Sequence, residues 1–176
     1  MPDFSPAELA AIALSLKVAC VAALASLPAG IAVAWLLARR RFPGKALVDA
    51  LVHLPLVLPP VVVGYALLVL FGSQGPVGAF LAEHFGISIA FRWTGAALAS
   101  AIMGFPLMVR AIRLSIESVD RRLEQAAATL GASPWRVFAT VTLPLAWPGI
   151  VAGAVLAFAK ALGEFGATIT FVSNIP

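Results

Sequence analysis

From Val18 to Leu37 the chain carries no charged residue, and the apolar stretch around it begins near Leu9 and closes on Arg39-Arg40-Arg41. A helix that crosses a bilayer needs about 20 consecutive, mostly apolar residues. This stretch therefore predicts a crossing over about 9–37. The pattern recurs three times. Leu54 to Phe71 is free of charge, predicting a crossing over 54–71. Trp93 to Val109 is bracketed by Arg92 and Arg110, predicting one over about 93–110. A last run begins near Pro148 and reaches about Val172, with Lys160 and Glu164 inside it. The frame 137–159 avoids both charges, but Pro144 and Pro148 suit a position at or before a helix start better than one inside it, so 148–172 is preferred. In lipid a spanning segment must satisfy its own backbone polar groups, which favours helices for runs this long. The expected fold is all-α and polytopic: a single transmembrane domain over 1–176 with four spans. The chain stops directly after the last of them without a polar tail, which leads us to expect a fifth span beyond its C-terminus.

Only 11% of the residues are charged and 61% are hydrophobic. Soluble domains carry roughly 25% charged residues, so lipid must be the solvent for much of the surface. A single cysteine, Cys20, excludes an internal disulfide, and no His/Cys cluster has metal-ligand spacing. Neither a metal site nor a cofactor is expected in this chain. His53 and His84 fall on opposite faces of the predicted membrane and Cys20 lies far from both, which argues against an intramembrane enzyme. Before the first apolar run stand Asp3 and Glu8, where a cleavable signal peptide needs basic residues. The net charge of +4 does not form a basic face of the kind that binds nucleic acid. Of twelve basic residues, Arg39, Arg40, Arg41, Lys45, Arg110, Arg113, Arg121, Arg122 and Arg136 fall on one side of the predicted spans. That side should be cytoplasmic, which places the N-terminus outside and Pro176 outside as well. Gly72 to Phe91 then forms an external connector with a short helix around Val77 to Phe85. Lys17, near the external end of the first run, can snorkel to the interface.

The segment between the third and fourth runs, about 118–146, is unlike the rest. Asp120 or Ser118 can cap a helix running to Leu130, and Gly131 is the expected left-handed residue at its end. Ser133 and Pro134 then supply an N-cap and first position for a second short helix. Trp135, Val137, Phe138 and Val141 give that helix an apolar side, and Leu143-Pro144 is expected to end it. Ala126, Ala127 and Ala128 leave room for a close-fitting surface. A helix pair of this kind suits either lipid headgroups or a protein partner.

The run Gln125-Ala126-Ala127-x-x-x-Gly131, with Val141-x-Leu143-Pro144 following, resembles the EAA loop of bacterial ABC-importer permeases, E-A-A-x(3)-G-x(9)-I-x-L-P. Glu124, Ser133 and Pro134 belong to the same loop. In that family the loop is the coupling helix that inserts into a cytoplasmic ATPase subunit. The motif's Glu aligns with Gln125, while Glu124 lies one residue earlier; at about 100° per residue the two cannot occupy the same place. In the second run, His53-Leu-Pro55-Leu-Val-Leu-Pro59-Pro60-Val-Val-Val-Gly64-Tyr65 is similar to the second-span signature of molybdate permeases of the ModB type. The likeness extends to RRRFPGKALVDAL, FRWTGAALASAIMGFPLMVRAIRLSIESVDRRLE and AFAKALGEFGATITFVSN, from about Leu14 to Pro176.

The resemblance implies a MetI-like permease fold in the bacterial inner membrane. It implies a homodimer with one translocation path, two ATPase subunits beneath and an extracytoplasmic molybdate-binding protein above. No G-x-x-x-x-G-K-[ST] occurs in the chain, so ATP and its magnesium ion are expected in the partner. Sulfate and tungstate are the nearest alternative cargoes, all three being tetrahedral dianions. A secondary, ion-coupled transporter would show inverted repeats with half-helices meeting at the midplane, which the sequence does not display. Pro59, Pro60 and Gly64 would weaken the second span unless its freed carbonyls face protein or water. Lys160, eleven residues past Gly149, is expected roughly 17 Å into the membrane at 1.5 Å per residue, with Glu164 one turn beyond. Each such charge costs on the order of 3 kcal/mol. Lys160, Glu164, Phe165 and Gly166 are thus either a self-neutralised packing pair with its neighbours or part of the pathway lining.

Overall fold

A computed structural model of the protein describes residues 5–164 and Thr168. Every regular element among the described residues is helical: α1 Pro6–Arg39, α2 Lys45–Val57, α3 Pro60–Phe71, α4 Pro76–Phe85, α5 Trp93–Ser118, α6 Arg121–Thr129, α7 Pro134–Val137, a π-helical turn Phe138–Thr142, α8 Leu143–Leu145 and α9 Trp147–Leu162.

Helix α1 begins with a capping box. The Ser5 hydroxyl accepts the Glu8 amide (3.3 Å), and the Glu8 carboxylate accepts the Ser5 amide (2.7 Å). Pro6 occupies the first turn, where no backbone donor is needed. Its 34 residues span about 51 Å, more than a hydrocarbon core of about 30 Å, so it crosses with length to spare. Helix α5 runs eight residues past the predicted end at 110 and closes at Ser118. The extension carries Arg113, which is neutralised by Asp49 (2.9 Å) and Glu117 (2.8 Å), and so the helix continues past the apolar layer with its charge matched.

Helices α1, α5 and α9 form the core. Near one end Lys17 lies over the Trp93 ring at 4.2 Å, and at the other Arg39 donates to the Val119 carbonyl at 3.0 Å, so α1 and α5 run parallel. Helix α9 runs antiparallel to α5: Gly149 abuts Ser115, Gly153 abuts Met108 and Ile112, and Gly104 abuts Ala157. The stripe Gly149, Gly153, Ala157, Ala161 recurs every four residues and lets the backbones approach closely. In a lipid solvent this compensates for the missing hydrophobic drive between helices. Leu37, Met108, Ile112, Ile116 and Ile150 fill the seam and are fully buried. By contrast Leu24, Val57, Tyr65 and Val155 are exposed, as lipid-facing side chains should be.

Among the described residues only α1 and α5 are single helices long and apolar enough to cross a membrane. The other two predicted spans take a different form. The 54–71 segment is broken: α2 and α3 meet at an angle of 113°. Leu58 and Pro59 are both extended, at ψ 143° and 136°. Pro59 and Pro60 explain this. Neither can donate a helical hydrogen bond, and each drives the residue before it out of the α region. Helix α2 starts at Lys45, well before the expected boundary.

The 148–172 segment also departs from expectation. Helix α9 starts at Trp147 with Pro148 in its first turn, but ends at Leu162, with Gly163 as C-cap. Residues 165–167 and 169–172 lie outside the described residues. Nor does Leu143-Pro144 end the preceding helix. The chain stays helical through Leu145, and the bend of 69° falls at Ala146. Pro144 is accommodated by the π turn, where Leu143 N–H bonds Phe138 O instead of the usual i−4 carbonyl. Widening the ladder there relieves the clash a proline ring makes with the preceding turn.

Candidate functional site

The 118–146 segment folds as a bracket at the end of the bundle where α1 and α5 terminate. Asp120 caps α6 by accepting the Arg122 amide at 2.9 Å. Leu130 is the C-cap and Gly131 follows at φ +83°. A side chain there would be strained whatever the space, since L-residues avoid this region. Ser133 accepts the Arg136 amide at 3.4 Å, and Pro134 opens α7.

What holds the bracket is Glu124. Its Oε1 pairs with Arg39 Nη2 at 3.1 Å and accepts from the Thr142 hydroxyl at 2.6 Å. The Arg39 side chain is 9% exposed and Thr142 is fully buried. Gln125 and Ala126 are exposed. The 100° offset between adjacent residues thus turns one side chain to the bundle and the other to solvent. Glu124, Gln125, Pro134 and Thr142 line, together with Trp35 and Arg39, an open cavity of about 350 Å³. Val141 and Leu143 are half-buried and Pro144 is exposed.

The outer face of the bracket is apolar at several points. Leu130 is 89% and Trp135 74% exposed, and Leu123 is half exposed. Trp135 leans on Phe138, which also meets Trp35 edge-on at 5.7 Å. Such projecting apolar groups on a capped, rigid scaffold suit insertion into a protein groove.

The candidate pathway residues do not gather into one constellation. Pro59 and Pro60 form the α2–α3 break and are exposed; Gly64 is buried in α3. Lys160 and Glu164 pair at 2.6 Å at the end of α9, with the Glu164 side chain 2% exposed and Lys160 30%. They stand four residues apart and pair as that spacing allows, Glu164 lying just past the C-cap Gly163 rather than within α9. Lys160 sits instead in the last turn of α9, where a cation meets the negative end of the helix dipole. Phe165 and Gly166 lie outside the described residues.

Sequence reasoning missed Arg39 and Thr142 as members of the loop's framework. Arg39 was absorbed into a basic run that reads as a topology signal. A lone threonine between Val141 and Leu143 was the available hint for the other. Also missed was the link from α2 to α5, Asp49 to Arg113.

Residues 26–175 match the family of binding-protein-dependent transport system inner membrane components, and the chain belongs to that family. It is 67% identical over 169 residues to the molybdenum transport system permease protein ModB of Escherichia coli K12, covering 96% of this chain and 74% of that protein. It is 63% identical to the ModB protein of Haemophilus influenzae, covering 96% and 73%. The sulfate transport system permease protein CysT of E. coli K12 is 42% identical, covering 97% and 61%.

Proposed function

We propose that this chain is the permease subunit of an ATP-driven importer and forms the translocation path for molybdate. The observation that carries the cargo assignment is the likeness to molybdenum permeases at 67% and 63% identity, against 42% for the sulfate permease. The chain itself hydrolyses nothing; ATP and magnesium belong to a separate ATPase subunit. That subunit grips the loop through Gln125, Ala126, Ala127 and the projecting Leu130 and Trp135. An extracytoplasmic binding protein delivers the anion, and a second copy of this chain completes the path.

In this reading residues 1–176 form one transmembrane domain with its N-terminus outside. Helices α1 and α5 each cross the membrane, the bent α2–α3 pair contributes a third crossing, and the 148–172 segment that opens with α9 a fourth. Closure of the ATPase pair draws the α6 brackets together and swings the bundle from inward-open to outward-open. Pro59, Pro60, Gly64, Lys160, Glu164, Phe165 and Gly166 are the proposed path lining. The paired Lys160 and Glu164 cancel each other's charge, which suits a path that must release its anion, selection being left to the binding protein.

The test is uptake into proteoliposomes holding this chain, the ATPase and the binding protein. Molybdate should accumulate only with ATP inside and binding protein outside, and excess sulfate should compete weakly. Uptake without ATP, driven by an ion gradient, would overturn the proposal. Equal uptake of sulfate would shift it to the second cargo.

A further inference from the structure

The contacts of α6 are lopsided. Among the described residues its side-chain hydrogen bonds and ion pairs to the rest of the molecule all pass through Glu124. The remaining ones are local: Thr129 to Ala126, and the Asp120 cap. Yet that one carboxylate reaches every helix of the core. Through Arg39 it holds the last turn of α1. The same guanidinium nitrogen holds the end of α5 at the Val119 carbonyl, 3.0 Å away. Through Thr142 it holds the π turn that leads by α8 into α9.

A strut meant only to steady a surface helix would not need this convergence, nor its burial. Thr142 is buried and the Arg39–Glu124 pair is largely so, at 9% and 18% exposure, on the wall of the open cavity, so a lost partner is felt more strongly than at a free surface. The π turn adds an irregular joint between α7 and α8. Its i−5 bonding is less stable than the α ladder, and such turns are places where a helix can shift register.

We infer that Glu124 is a positioning residue for transport. It is the junction through which displacement of α6 reaches α1 and α5 by way of Arg39, and α9 by way of Thr142 and the π turn. This rests on the preceding assignment of α6 as the element moved by an ATPase. On this view the carboxylate does not touch the ATPase or the anion; Gln125 and its exposed neighbours make the docking face. The two jobs fall to adjacent residues because the helix turns them about 100° apart, leaving Gln125 exposed and Glu124 partly buried.

The experiment uses the complete importer in proteoliposomes and measures ATP hydrolysed per molybdate taken up. Coupling free energies of 1–3 kcal/mol correspond to factors of about 5–150, so E124Q should raise that ratio about tenfold or more while still assembling with the ATPase and hydrolysing ATP. R39Q should do the same. T142S, which keeps the hydroxyl that donates to Glu124, should stay within about threefold of the parent. T142V, which removes one hydroxyl and no charge, should raise it about fivefold by cutting only the α9 branch. An unchanged ratio in E124Q, or a ratio in T142S raised as far as in T142V, overturns the inference. If E124Q does not assemble, T142V decides alone: a parental ratio in that variant overturns it. If the parent complex itself shows no ATP-dependent uptake, the assignment of function fails instead, and the two failures are separated by that control.

Discussion

Gly149 of α9 lies against Ser115 of α5 so closely that no Cβ fits between them; the obstructing atom is the root of the serine side chain, which cannot swing away. The same seam is looser at its far end, where a Cβ on Gly104 would stand 3.2 Å from the Ala157 Cα. G149A should therefore destabilise by about 1–3 kcal/mol, the usual cost of overpacking, and G104A by less. Thermal unfolding in detergent, followed by tryptophan fluorescence, measures both. S115G should recover part of the loss in G149A; no recovery would count against direct contact as the cause.

Gly131 has nothing within 4 Å of where a Cβ would stand, so only its φ of +83° constrains it. Asparagine tolerates this region and β-branched residues do not. G131N should retain most uptake in the reconstituted importer. G131V costs about 1–2 kcal/mol in strain at that residue and should re-aim α6 relative to α7, lowering uptake more than ATP hydrolysis. Identical behaviour of the two variants would show that the left-handed conformation is not required.

The tie between α2 and α5, Asp49 to Arg113 at 2.9 Å, is partly open to solvent, at 39% and 26% exposure. Exposed ion pairs contribute about 0–1 kcal/mol and are screened by salt. A double-mutant cycle over D49N and R113Q should return a coupling below about 1 kcal/mol that shrinks in high salt. A large, salt-independent coupling would mean that the pair is sealed in the assembled importer.

Lys160 and Glu164 are unequal partners, since the carboxylate is almost fully buried and the ammonium is not. K160M removes the cation 2.6 Å from a buried carboxylate and should cost about 3 kcal/mol. E164Q leaves a more accessible cation and should cost less. The double variant K160M/E164Q should be more stable than K160M alone. The reverse order in thermal unfolding would show that the ammonium, not the carboxylate, is the group that needs its partner.

The apolar runs, the caps at Asp120 and Ser133, the left-handed glycine and the short helix α4 could all be read from residue order. Each depends on neighbours a few positions apart. The fate of the prolines could be read only in part. Pro59 and Pro60 announce a break, but not one of 113°, because the angle depends on what α3 packs against: Val63 and Leu67 settle among Ala96, Ala97 and Met103 of α5. Pro144 resembles a stop signal, yet the helix absorbs it by widening one turn. The small residues of α9 recur every four positions, but spacing alone does not say which helix they face.

The sequence by itself determined that this chain dissolves in lipid, that its backbone must close on itself as helices, and that a capped polar bracket interrupts them. Those outcomes follow from composition and from local donors and acceptors, which act wherever the chain goes. Only the tertiary structure decided that Glu124, rather than Gln125, faces inward to Arg39 and Thr142. That choice depends on how α6 is rotated against the ends of α1 and α5, and a rotation of one helix against others is set by packing between residues far apart in the chain.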